Sequence, residues 1–274
     1  MATLIDIHAH VFPSKIAFKA VDNIAQRYQQ QADYRGLLEE YVELLKRDQF
    51  LWGVVSTAAT TPEQVRPANN WAIELNRHEK LKALGTIHLD YPDWRDELER
   101  IFAAGLRGLK LHPDFQAFYA DDPRLASLFE ELPDGTVLLI HAGNDPGYGH
   151  LDYSHPKRLV QIVNSFPNLN IIIAHMGGYR QWNEAWRWLI GTTAYLDTAS
   201  SAEHLSAQEF GEMVRAHGAD RVLFGTDYPF RGPGEQYKML REYGLEPPEL
   251  AAIMGENALR LPLFETSTPG RETR

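Results

Sequence analysis

The chain of 274 residues carries 27 Lys and Arg against 37 Asp and Glu, and its formal net charge of −10 repels phosphate backbones and anionic lipid, which sets aside sequence-independent nucleic-acid binding. Cysteine is absent, so neither a disulfide framework nor a thiolate metal site is available, and any metal must be held by His and carboxylate. With 44% hydrophobic residues the chain has the apolar mass for a large core, while no apolar run is of membrane-crossing length and none of leader type opens it, so the expectation is a cytoplasmic protein.

Eight short runs rich in Val, Ile and Leu, at 4–8, 51–56, 81–87, 106–111, 137–141, 171–175, 194–197 and 222–227, read as strands. The segment 13–34 after the first run is long for a connection between strand and helix, and the expectation is a lid or an extra helix over the mouth. Amphipathic stretches at 35–48, 68–80, 94–104, 123–132, 156–166, 179–190 and 207–217 alternate with the later strands as helices. Pro92 is placed to open the third of these, and Ser206 with Glu209 forms a capping box at the start of the last, with Gly218 set to end it. Two more helical stretches, 234–243 and 248–261, follow the last strand, and 266–274 reads as a polar tail. Runs such as Val137-Leu138-Leu139-Ile140 are apolar on both faces, as parallel strands between an inner core and an outer helix layer must be. The expected fold is therefore α/β, a single-domain (β/α)8 TIM barrel over 1–265 with its active site at the C-terminal strand ends.

Those strand ends carry the chemistry. In a regular strand His8 and His10 point the same way and can share one cation. A histidine at one strand end is most often an ordinary hydrogen-bonded residue. The joint occurrence of His8, His10, His141, His175 and Asp227 at four predicted strand ends is what points to a metal site, because a barrel converges those ends on one place. Asp6 shares the expected face of His8 and His10, as a partner for a ligand's second ring nitrogen or as a buried structural carboxylate. Lys110 stands on the fourth strand, and His112 before Pro113 reads as a pocket wall or structural residue. Arg180 and Arg231 follow turns near the mouth and are candidates to bind an anionic substrate group, as is Lys110, against a default of surface solvation. His150 and His155, in a loop with Gly143, Gly147 and Gly149, are candidates for the entrance.

The set Asp6-Ile7-His8-Ala9-His10, Gly108-Leu109-Lys110-Leu111-His112-Pro113, Ile140-His141-Ala142-Gly143, Ala174-His175-Met176-Gly177-Gly178 and Phe224-Gly225-Thr226-Asp227-Tyr228-Pro229-Phe230 resembles the amidohydrolase superfamily, in its amidohydrolase-related branch of barrel hydrolases and decarboxylases. The resemblance implies that His8, His10, His141 and Asp227 bind a divalent metal, expected to be one Zn2+, with His175 beside it or as a further ligand. A carboxylated Lys110, as some branches of the superfamily have, would make two ions. The leading expectation is hydrolysis of a C–N or C–O bond in a small carbonyl substrate by metal-activated water, with Asp227 ligating through one oxygen and taking the water's proton through the other. The alternative is non-oxidative decarboxylation of an aromatic or unsaturated acid. A nuclease is opposed by the charge, and a catalytically silent barrel by the complete ligand set. The expected partners are a small, anionic substrate and a second copy in a homodimer, with no nucleic acid and no membrane.

Overall fold

The structure is a computed structural model that describes residues 3–145 and 151–265. The expected tail 266–274, and with it Gly147, Gly149 and His150, lies outside the described residues.

All eight expected strands form: β1 (Ile5–Ala9), β2 (Trp52–Val55), β3 (Leu81–Ala83), β4 (Gly108–Leu111), β5 (Val137–Ile140), β6 (Asn170–Ile173), β7 (Tyr195–Asp197) and β8 (Val222–Leu223). They pair in parallel as β1-β2-β3 and β4-β5-β6-β7-β8. Backbone bonds close both seams. Gly85 N donates to Gly108 O and Lys110 N to Gly85 O between β3 and β4, while Ile7 N donates to Phe224 O and Asp227 N to His8 O between β8 and β1. The result is the (β/α)8 barrel the alternation predicts.

The two apolar faces of each strand have different partners. Val137 and Leu139 join Ile5, Ile7, Val54 and Ile172 inside, while Leu138, Ile140, Ile171 and Ile173 pack under the helices. Each such fully buried side chain contributes roughly 1.5–3 kcal/mol. The inner cluster is extended by Ala258, Leu261, Leu263 and Phe264. Gly255 lies against Thr3 and Gly135 against Pro262, so this last segment covers the N-terminal strand ends and leaves the other rim for chemistry.

The helices are α1 (Ala17–Tyr28), α2 (Leu38–Arg47), α3 (Val65–Leu75), α4 (Trp94–Ala103), α5 (Pro113–Gln116), α6 (Arg124–Glu130), α7 (Pro156–Ser165), α8 (Trp182–Trp188), α9 (Ala207–His217), α10 (Pro233–Arg241) and α11 (Pro247–Ala251). The Ser206 and Glu209 capping box starts α9 as expected, and Gly218 follows it at φ +103°. Pro92 sits one residue ahead of the cap position Asp93 rather than inside α4. The expected helix 248–261 breaks into α11, a wide turn over Ala252–Glu256 and a short 3-10 turn, because Gly255 takes an extended backbone. None of the helices among the described residues is long and apolar enough to cross a membrane.

Two expected elements shrink at the chemical rim for one reason. The strand expected over 222–227 stops at Leu223, and the helix expected from 179 starts at Trp182. His175, Met176, Arg180, Ser200 and Asp227 all hold φ between +45° and +60°, the left-handed region. Each such non-glycine residue costs of order 1–3 kcal/mol and persists where surrounding contacts over-determine it, typically at functional sites.

Candidate metal centre

Residues in or after β1, β2, β4, β5, β6, β7 and β8 meet around one cavity of about 720 Å³, whose wall includes His8, His10, Lys110, His141, His175 and Asp227. His8, His10 and Asp227 offer ligand atoms within 4.8 Å of one another. Asp227 Oδ1 lies 3.2 Å from His10 Nε2 and 3.7 Å from His8 Nε2.

The ring nitrogens that face away from this point are committed. His8 Nδ1 donates to Asp197 Oδ2 at 2.8 Å, and His10 Nδ1 donates to the Ser56 carbonyl at 2.8 Å. Each neutral imidazole therefore presents an Nε2 lone pair inward. For His10 that lone pair meets a carboxylate oxygen, and two acceptors at that spacing require a proton or a cation between them. Asp197 is itself fixed, its Oδ1 accepting from His175 N and Ala199 N. Gly225 stands where a side chain would press on His8 Cβ, which lets the two chain segments approach.

His141 and His175 form a pair beside the set. His175 Nδ1 donates to Ala199 O at 2.9 Å, so its Nε2 accepts from His141 Nδ1 at 3.1 Å. His141 Nε2 is left with a lone pair, buried and, among the described residues, without a partner. An unpaired buried acceptor costs of order 1–3 kcal/mol unless something fills it. His141 does not join the group of His8, His10 and Asp227 within 4.8 Å; at that spacing it groups with His112 and Asp114. A cation between His141 and His112 is opposed by geometry, since the two rings stack at 3.9 Å and 9°, with their lone pairs in nearly parallel planes. His112 also stacks on Phe115 at 3.9 Å, and its Nδ1 accepts from Phe115 N, so it is the pocket wall that its position before Pro113 suggests.

The buried charges shape one another. Burial pushes His8 down to about 4, with the Lys110 ammonium adding to the effect. Burial also pushes Lys110 down to about 8 against the pull of Asp197 and Asp227. Burial alone would raise Asp227, but the bond from His10 and the neighbouring imidazoles outweigh it and hold the carboxyl well below its usual range. Its second oxygen, Oδ2, accepts from Ser200 Oγ at 2.6 Å.

Other expected residues lie elsewhere. Asp6 does not share the face of His8. The pairing of β1 shifts between Asp6 and Ala9, so two-residue alternation is broken, and Asp6 accepts from Tyr41 OH of α2 and from Thr226 Oγ1. Buried there, Asp6 is pushed up to about 7. Arg180 is exposed and folds over the Tyr179 ring, and Arg231 sits 4.0 Å from Asp33; neither lines the cavity. His155 caps α7 by accepting from Lys157 N rather than lining the entrance. The segment expected to cover the mouth does so through α1, whose Ile24, Arg27 and Tyr28 line the cavity. Arg27 and Tyr28 both donate to Asp145 in the loop after β5, at 2.8 and 3.2 Å, which ties the cover to the rim.

Asp197, Ser200, Arg27 and Asp145 are the functional neighbours that sequence reasoning missed. Asp197 ends a predicted strand, the same signal that singled out His141 and His175; Ser200 carries no spacing signal.

The amidohydrolase family, through its amidohydrolase 2 model, matches residues 5–261. The chain belongs to the amidohydrolase family. Several solved structures share the fold of this chain. A 2,6-dihydroxybenzoate decarboxylase in complex with 2,6-dihydroxybenzoate superposes with TM-score 0.69 at 20% identity, covering 96% of this chain and 99% of that one. A variant 5-carboxyvanillate decarboxylase from Novosphingobium aromaticivorans, with bound manganese and 3-methoxy-4-hydroxy-5-nitrobenzoic acid, gives TM-score 0.70 at 14% identity over 94% and 96%. A probable 2-pyrone-4,6-dicarboxylic acid hydrolase from Acinetobacter baumannii, with citric acid bound, gives 0.62 at 17% over 94% and 98%. At such identities the likeness is one of fold. No curated protein matches this chain in sequence.

Proposed function

We propose that this protein is a metal-dependent enzyme acting on a small carboxylic acid, and that its reaction is non-oxidative decarboxylation of an aromatic or unsaturated acid. His8, His10 and Asp227 would hold one divalent ion, and the His141 Nε2, which lies outside their 4.8 Å group, would have to move towards them to be the fourth donor. Zinc and manganese both suit imidazole and carboxylate donors. When bound, the ion supplies a Lewis acid that positions and polarises the substrate's oxygens.

The protein's own groups do the rest. The cavity wall combines Phe12, Trp71, Phe115, Tyr179 and Phe230, a lining for a flat unsaturated body. His175, fixed through Nδ1 by Ala199 O, lines the same cavity, and to act as the acid its Nε2 must carry a proton and give up the bond it accepts from His141 Nδ1. It delivers a proton to the carbon that bears the carboxylate; the C–C bond then breaks, its electron pair returns to the ring, and carbon dioxide leaves. One proton enters and one carbon dioxide departs, with no oxidant and no water consumed.

Ser200 is the observation that carries this reading over the expected hydrolysis. Attack by water needs a base, and the Ser200 hydroxyl donates to the Asp227 oxygen expected in that role, which makes that oxygen a weaker base. Decarboxylation needs an acid instead, which His175 supplies. The two decarboxylases of the same fold lend support.

The test offers metal-loaded protein 2,6-dihydroxybenzoate, 5-carboxyvanillate and 2-pyrone-4,6-dicarboxylate, in deuterium oxide and in oxygen-18 water. Carbon dioxide release with one solvent deuterium at the vacated carbon is the expected result. Solvent oxygen-18 in the product without carbon dioxide would establish hydrolysis and overturn the proposal.

A further inference from the structure

Lys110 is a cation buried to 1% exposure, and its Nζ lies 3.1 Å from His8 Nε2. Among the described residues that nitrogen is the hydrogen-bond acceptor the Lys110 side chain has. His8 has a single lone pair to offer, because its Nδ1 is committed to Asp197 Oδ2, and Asp197 is held by two backbone amides and cannot turn away. The lone pair that a metal ion requires from His8 is therefore the one that Lys110 occupies.

We propose that Lys110 is a placeholder cation that competes with the metal for His8. The inference rests on the metal reading above and goes beyond it, since it assigns Lys110 neither as ligand nor as bridge. A proton-bearing Nζ and a metal ion cannot share one lone pair, so metal binding must displace the ammonium, and the two positive charges repel at a buried position. Lys110 stays in the wall of the cavity that receives the acid, so the displaced ammonium remains beside the substrate's negative charge. The arrangement makes the site weaker for metal than the donor set alone would make it.

The experiment strips the protein of metal and measures Zn2+ and Mn2+ affinity by competition with a chelating dye, in the wild type, Lys110→Met and Lys110→Gln. Both variants are expected to bind metal about tenfold tighter or more, the worth of one hydrogen bond to His8. The second variant keeps the test alive if the first does not fold. Equal or weaker binding in a folded variant, with the wild type binding normally, overturns the competition alone. Absence of metal binding in the wild type and both variants would instead remove the metal reading, and the competition with it.

Discussion

His8 shows how a single residue's chemistry is set by what holds its far side. Asp197 Oδ2 fixes the proton on His8 Nδ1 and so fixes the inward lone pair, the role that carboxylates commonly play behind metal-binding imidazoles. Replacing Asp197 with Asn keeps the shape but removes the charge and lets the amide present the wrong atom. Metal affinity is expected to fall about 10- to 100-fold, read by chelator competition, with the secondary structure unchanged by circular dichroism. Unaltered affinity would show that His8 needs no such partner. His10 and Asp227 were legible from sequence because a pair of histidines two apart and an aspartate after a strand are local patterns. Asp6 was misplaced because the register shift in β1 is a property of the β1 and β2 pairing, and no local pattern shows it. Arg180 and Arg231 lie away from the cavity wall: Arg180 sits in a left-handed turn, and Arg231 is 4.0 Å from Asp33.

At the scale of elements, alternation of apolar runs with amphipathic stretches was enough for all eight strands and the helices between them, because inner and outer packing impose the same composition on every repeat. Boundaries at the chemical rim were lost where five left-handed residues replace regular strand or helix. The clearest success is α9, whose cap is a sequence motif with a fixed geometry. Ser206→Ala is expected to cost about 0.5–2 kcal/mol, measured as a lower urea midpoint with unchanged slope. At the other end of α9, His217 accepts from Gly191 N through Nδ1 and donates to Ala194 O through Nε2, so it must be neutral. Burial lowers its pKa below the ordinary 6.5. Between the folded and unfolded values the unfolded chain binds more protons, so stability rises with pH there. The contribution is complete above about 6.5 and is lost as pH falls through that window towards the folded value. His217→Gln should flatten this slope in unfolding curves taken from pH 7 downwards; a slope identical to wild type would assign it to other groups.

For the whole molecule, the barrel brings together residues from β1 and from the segment after β8, more than 200 positions apart in the sequence: Asp6 and Thr226 are separated by 220 residues. A ligand that bridges those segments stabilises only the folded state. With metal at about a hundred times its dissociation constant the gain is about 2.7 kcal/mol, which for a chain of this size raises Tm by roughly 5–10 °C. A chelator should reverse the rise, and His10→Ala should abolish it. The account as a whole depends on one ion held between the two ends of the barrel's strand order. Anomalous diffraction from a crystal loaded with zinc or manganese tests that most directly. The account predicts one peak bonded to His8 Nε2, His10 Nε2, His141 Nε2 and an Asp227 oxygen; a peak elsewhere, or none, would contradict it.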